Sequence, residues 1–218
     1  MRGAEKMEVS VKELSAYLRM GGRAPDGALA ERVAELTGKV RGVIRPARVW
    51  RRVPVGEIPS PGSSLLRHLA GCDDAYLVCG TLGTGVDALQ RRYSVGSGAD
   101  ALIVQAIGAA FMESWMDETE DAIRAELAPG ERLIMRFSPG YGDWALSAQR
   151  ELLRMLDASR TVGVSLTDTM LMVPSKSVSA VIGVRTSDAG GGRRPPDDGR
   201  QPVQVMQFSG RQSHEEDT

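Results

Sequence analysis

The chain reads as an α+β domain followed by a polar tail. Three observations carry that reading. Apolar residues recur at helical spacing in several separate stretches, the longest spanning residues 99–127. Between them lie short, compact apolar runs of strand length, at 75–79, 133–137 and 177–184. Glycine and proline corners punctuate the chain at irregular intervals, and no internal repeat is visible. A length of 218 residues suits one domain with a real core, and the net charge of −1 gives no electrostatic reason to expect nucleic acid or an anionic membrane as partner. No apolar run approaches the ~20 residues of a membrane helix, and residues 1–30 hold no apolar signal segment, so a cytoplasmic protein is expected.

Taken in order, Ser10-x-x-Glu13 reads as a capping box that opens a helix through Leu14, Tyr17 and Leu18, stopped by Gly21 and Gly22. A second helix starts near Asp26, places Leu29, Val33, Leu36 and Val40 on one face, and ends before Pro46. Ala47 to Val55 reads as a strand, and Pro54 assigns it to an edge. Ser63 or Ser64 opens a short helix through Leu65, Leu66 and Leu69, and Ala75 to Cys79 is a buried strand candidate. After residues 80–85 a helix runs from Val86 to Arg92. The long helix from Ala99 to Leu127 has an apolar first half (Ala101, Leu102, Ile103, Val104, Ala106, Ile107) that should be buried and an acidic second half. Leu133 to Phe137 forms a strand, Ser147 caps a helix ending near Leu156, and Val162 to Leu166 and Ser177 to Val184 complete the strands. Residues 1–185 thus form the domain. Residues 186–218, rich in glycine, proline and charge, read as disordered, with Val203 to Phe208 as an alternative docking segment or added edge strand.

Several chemistries find no support. Cys72 and Cys79 make no metal-ligand spacing with His68 or His214, and Cys79 reads as a reduced, buried thiol. The segment Gly80-Thr81-Leu82-Gly83-Thr84-Gly85 lacks a Gly-Lys-Ser/Thr ending and the dinucleotide fingerprint, which favours a structural turn over a phosphate site. No Ser-His-Asp set or Cys-His pair suggests an activated nucleophile.

What remains is the run Arg136-Phe137-Ser138-Pro139-Gly140-Tyr141. Arg136 is a permanent planar cation able to bind both oxygens of a carboxylate, although a lone arginine at a strand end is commonly a surface ion pair. Pro139 and Gly140 suit the centre of a type II turn, and glycine also lets a ligand approach the backbone. Tyr141 adds a ring face and a hydroxyl. Glu113, beside the apolar half of the long helix, and Asp143, just past the corner, are candidate carboxylates for a cationic ligand, with solvated charge as the plain alternative. Asp117, four residues beyond Glu113 on the same face, is a weaker choice. Thr167, Ser175 and Ser177 carry hydroxyls, Met170 to Met172 suit a core, and Lys176 reads as a surface charge or a contact to an acidic partner.

Arg136 to Tyr141, the run Leu166 to Pro174 and the stretch Val173-Pro174-Ser175-Lys176-Ser177-Val178-Ser179-Ala180 together resemble the reactivation domain of cobalamin-dependent methionine synthase. That family carries the pattern Arg-x-x-Pro-Gly-Tyr-x-x-x-Pro, and the match is best from Arg136 through Val184. Tyr17 to Arg23, Thr81 to Asp87 and the Ala99 to Asp117 helix look like a subgroup of short, stand-alone versions. Two positions depart from the pattern: Ala145 replaces the last proline, and Ala180-Val181-Ile182 replace the aromatics that follow the serine stretch in multidomain synthases.

The resemblance implies a mostly antiparallel twisted sheet with surrounding helices. It implies binding of S-adenosylmethionine by Arg136, Pro139, Gly140 and Tyr141, with Glu113 or Asp143 near its cationic groups and Ser177 and Ser179 in the pocket. It also implies a role as reactivation subunit of methionine synthase, a methyltransferase, in the reductive methylation of cob(II)alamin. The cobalamin would sit on a partner, the synthase's cobalamin subunit or another corrinoid protein, with a flavodoxin- or ferredoxin-type reductant. The alternative is a non-catalytic corrinoid-protein partner that no longer binds S-adenosylmethionine.

Overall fold

The computed structural model describes residues 7–186, so the expectations for the tail and for Val203 to Phe208 lie outside the described residues. Two strands form the centre of the fold. β2 (Asp74–Thr81) and β6 (Ser177–Thr186) pair antiparallel over eight residues, with Val78 opposite Ala180. Both are nearly continuous in apolar or small residues, as strands covered on both faces must be. β1 (Ala47–Pro54) pairs antiparallel with β2, and β3 (Glu131–Leu133) pairs antiparallel with β6, giving the order β1-β2-β6-β3. β1 is at the edge, as Pro54 predicts. The antiparallel α+β architecture expected from the sequence is the one observed.

Strand alternation divides the core in two. Tyr76, Val78, Val178, Ala180 and Ile182 face a first cluster with α2 (Gly27–Val43), α4 (Gly85–Gly96) and α5 (Gly98–Arg124). Leu77, Cys79 and Val181 face a second cluster with α3 (Ser63–His68), α6 (Ala148–Met155) and Trp144. The α5 helix starts where the Ser97 hydroxyl accepts from the Asp100 amide at 3.2 Å. It lies across the first face and buries Ile103, Val104, Ile107, Phe111 and Met116. Leu102, expected inside, is 59% exposed, because it falls on the outer side of that helix. α1 (Val11–Tyr17) packs on α5 through Leu14, and the Ser10 side chain makes no capping bond. Packing against α5 therefore contributes to holding α1 without the Ser10 half of the capping box.

Other expectations shift at their ends. Of the strand expected at 162–166 only β4 (Ser165–Leu166) forms, paired with β5 (Met172–Val173). A short α7 (Ala158–Thr161) precedes it, and the Val162 amide donates to Ala158 O, ending that helix. The 80–85 segment is a structural turn: the Gly83 amide donates to Thr81 Oγ1 at 3.1 Å, and the Leu82 amide to Lys176 O at 2.9 Å. Both cysteines are free, and burial pushes the Cys79 thiol up to about 12. Among the described residues no helix is long and apolar enough to cross a membrane.

Candidate functional site

The strand expected from Leu133 to Phe137 is interrupted, and the interruption aims Arg136. The Ile134 amide donates to Gly183 O, and Phe137 exchanges backbone bonds with Val181. Met135 and Arg136 therefore both stand opposite Ile182, which is a β-bulge. In regular alternation Ile134 and Phe137 would face opposite sides; here both pack against the second cluster. The extra residue turns the Arg136 side chain toward α5 instead.

There it meets three carboxylates spaced along one face of α5. Arg136 Nη2 bonds Glu113 Oε2 at 2.5 Å, and Nη1 bonds Glu120 Oε1 at 2.6 Å and Asp117 Oδ1 at 3.2 Å. Residues three, four and seven apart share a helix face, which is why one guanidinium reaches all three. Glu113 and Glu120 are nearly buried, whereas the Asp117 side chain is 40% exposed. Burial by itself would lower the Arg136 pKa, but the Glu113, Glu120 and Asp117 charges outweigh it and hold it above its ordinary value. The Tyr17 hydroxyl of α1 donates to Glu113 Oε1 at 3.3 Å. Desolvation and then the Glu113 charge raise the phenol's pKa well above the usual range, so it remains a donor.

Ser138 to Tyr141 form the turn that proline and glycine predict. The Tyr141 amide donates to Ser138 O at 3.3 Å, and Gly140 has φ +95°, a region that suits glycine. Pro139 is buried and Gly140 exposed. Phe137 sits edge-on to Tyr141, with ring centroids 6.1 Å apart, and also contacts Trp144 and His68. Trp144, buried at 1%, donates its indole N–H to Pro59 O. The turn thus rests on an aromatic floor that fixes Tyr141 beside the Arg136 cluster.

The other expected site residues lie elsewhere. The Asp143 carboxylate accepts from the Ser63 and Ser64 amides at 3.0 and 2.8 Å and from the Ser63 hydroxyl, so it caps α3. Those bonds, the Ser63 hydroxyl first, hold its pKa well below the usual carboxylate range. Ser177 and Ser179 are buried and face the second cluster, on the side of the sheet away from α5. The Ser177 hydroxyl donates to Pro174 O at 2.7 Å, and the Ser179 hydroxyl lies 3.4 Å from Gln149 Oε1. Lys176 is not a surface charge. It is 4% exposed and its ammonium donates to Gln105 Oε1 at 2.6 Å. The structure therefore joins Arg136 to Glu113 and to Asp117, the weaker candidate, and adds Tyr17 and Glu120. Pro139, Gly140 and Tyr141 follow Arg136 directly in the chain, with Tyr141 within electrostatic reach of Tyr17. Tyr17 was visible as a residue of the first helix and as part of the Tyr17 to Arg23 run; nothing local signals that α1 folds back onto Glu113.

The electrostatics define what this arrangement accepts. Arg136, and Arg124 beside it on Glu120 and Asp121, are surrounded by more carboxylate charge than the two guanidiniums neutralise. Beside Asp117 a cleft of about 320 Å³ opens between α1 and α5, lined by Glu8, Ser10, Glu13, Ser114, Glu118 and Asp121. Such a surface attracts a ligand of net positive charge while still offering one fixed cation.

Comparison with known proteins gives the chain a family and a fold. Residues 76–188, more than half of the chain, match the family model described as the vitamin B12-dependent methionine synthase activation domain. Among solved structures, the chain resembles the MetH reactivation domain crystallised with AdoHcy, at 14% identity and a TM-score of 0.57. That alignment covers 88% of this chain and 78% of the other. At that identity the likeness speaks for the fold. No curated protein matches the chain.

Proposed function

The chain belongs to the vitamin B12-dependent methionine synthase activation-domain family, and from that premise we propose that it binds S-adenosylmethionine as the reactivation subunit of a corrinoid methyltransferase, most naturally methionine synthase. The observation that carries the proposal is the Arg136 cluster beside the Pro139-Gly140-Tyr141 turn. S-Adenosylmethionine is a zwitterionic amino acid with an additional sulfonium, so its net charge is positive. It needs a cation for its carboxylate and a negative surround for the rest, and the residues present fit both demands.

In this reading Arg136 orients the amino-acid end, while Glu113, held by Tyr17, faces the cationic groups. The exposed Gly140 backbone and the Tyr141 ring shape the pocket wall. Asp143, Ser177 and Ser179 support the site from behind: Asp143 anchors α3, and the two serines fix the start of β6. A cobalamin held by a separate protein would supply the methyl acceptor, a flavodoxin- or ferredoxin-type protein would supply the electron it needs, and S-adenosylhomocysteine would be the product left on this chain. This chain's own contribution is position and electrostatics.

Calorimetric titration of S-adenosylmethionine into the protein, alone and with a cobalamin-loaded partner, tests the proposal. Arg136→Ala should weaken binding at least ~100-fold, because the ligand carboxylate loses its partner and meets the Glu113 and Glu120 charges with no guanidinium between them. If that variant fails to fold, Arg136→Lys keeps the charge, loses the planar fork, and should still weaken binding ~10-fold. Absence of wild-type binding in both settings would defeat the methyl-donor role and leave a non-catalytic corrinoid-protein partner as the better account.

A further inference from the structure

Arg136 poses a difficulty for any ligand that presents a carboxylate. Its Nη1 is already shared by Glu120 and Asp117, and its Nη2 is bonded to Glu113. A fourth carboxylate placed on the same guanidinium would be repelled by three like charges. One of the three must give way, and they are not equivalent. Glu113 is tied on both oxygens, to Arg136 and to Tyr17, and its side chain is 11% exposed. Glu120 is 12% exposed and bonded at 2.6 Å, with its other oxygen held by Arg124 at 2.8 Å. Displacing either would strand a buried charge or break two bonds. Asp117 has the longest bond to Arg136, at 3.2 Å, and a side chain 40% exposed at the rim of the α1–α5 cleft. Released, it moves toward water.

We propose that Asp117 is an exchangeable counter-ion: the incoming ligand's carboxylate takes its place on Arg136 Nη1, so Asp117 sets the site's selectivity for ligands that carry a carboxylate. The inference rests on the reading of the site as one for S-adenosylmethionine. Swapping one carboxylate for another on the same guanidinium conserves the hydrogen bond and the local charge. Only the more exposed partner changes. No covalent step is involved. A ligand without a carboxylate leaves Asp117 in place and gains nothing from Arg136, so the competition between Asp117 and ligand is felt by one class of ligand alone.

That asymmetry makes the test specific. Binding of S-adenosylmethionine and of its decarboxylated analogue is measured for the full-length wild-type chain and for Asp117→Asn, with thermal melting to verify folding. The substitution removes the competing carboxylate and also one negative charge that attracts both cations. The loss of charge weakens both ligands, and the decarboxylated analogue more, because it carries one more net positive charge. The loss of competition helps only S-adenosylmethionine. The exchange is therefore read as the excess over Asp121→Asn, which removes one charge of the same cleft without touching Arg136. The expected result is a roughly five- to tenfold increase in preference beyond that of Asp121→Asn, preference being the ratio of the analogue's Kd to that of S-adenosylmethionine, about what one ordinary hydrogen bond supplies. A ratio within about twofold of the Asp121→Asn value, or one below it, would overturn the exchange: Asp117 would then be a bystander or a direct partner of the ligand's ammonium. A wild-type chain that binds neither ligand brings down the S-adenosylmethionine reading itself, and the exchange with it. A chain that binds both ligands with no such excess brings down the exchange alone.

Discussion

Tyr17 stands some hundred residues from its partner in the chain, yet its hydroxyl fixes one oxygen of Glu113 while Arg136 fixes the other. The carboxylate is thereby held in one orientation before any ligand arrives, which is the preorganisation that binding sites exploit. Tyr17→Phe removes only the hydroxyl and keeps the ring packed against the first core. It should weaken S-adenosylmethionine binding about three- to tenfold, the net value of one ordinary hydrogen bond, which suits the 3.3 Å separation. The melting temperature should barely change. Unchanged affinity in a calorimetric titration would mean that Glu113 is oriented by its other contacts. Arg136 and the Pro139-Gly140-Tyr141 turn were legible in the sequence, because a cation and a Pro-Gly corner six residues long declare their geometry locally. Asp117 was legible as a residue on the Glu113 face; the arrival of Tyr17 and Glu120 at the same point was not, because it depends on how α1 docks on α5 and on where the bulge aims Arg136. Asp143 illustrates the converse: its position beside the turn suggested ligand contact, but the nearest unsatisfied donors were the α3 amides.

Elements explain how a local sequence becomes a directed side chain. The bulge at Met135 and Arg136 contains no glycine to announce it, so apolar patterning read the segment as an unbroken strand. The same bulge carries Phe137 onto the second core, where it supports Tyr141. α3 is positioned from outside itself, because its own N-cap residue, Gly62, has no side chain to offer. A Cβ at Gly62 would lie 2.4 Å from Asp143 Oδ1, so the carboxylate occupies the space that a cap side chain would need. Asp143→Ala leaves two α3 amides without their acceptor and should lower the melting temperature by a few degrees. The folded-state pKa of Asp143 lies below its unfolded value. Its stabilisation is therefore complete above the ordinary aspartate pKa of about 4 and is lost as pH falls through the depressed folded value. Melting curves of wild type and variant should converge in acid; a gap that stays constant to the lowest measurable pH would deny Asp143 that role.

At the scale of the whole molecule, the two-sided sheet explains why the boundaries of β2, β6, α2 and α5 were readable: long apolar patterns report burial directly. Lys176 was misread for the same reason in reverse, since a lysine between serines looks solvated until the fold closes over it. Val86 and Gly108 line its aliphatic stem: a Cβ at Gly108 would lie 2.9 Å from Lys176 Cε, and equally close to Val86 Cγ1. Its ammonium is left with Gln105. Desolvation lowers its pKa from 10.5 to about 8, only partly opposed by Asp87. Between those values the unfolded chain binds a proton that the folded chain does not, so raising the pH from about 8 toward 10.5 favours the folded state. Below pH 8 the full penalty for burying the charge is present, on the order of 3 kcal/mol from the size of the shift. Lys176→Met keeps the stem's volume and removes the titration. The difference in unfolding free energy between variant and wild type, measured by denaturant titration, should favour the variant most near pH 7 and shrink steadily between pH 8 and 10. A difference that is flat across that interval would mean that water reaches the ammonium. The junction of β6 with α5 would then be looser than the packing around Gly108 implies.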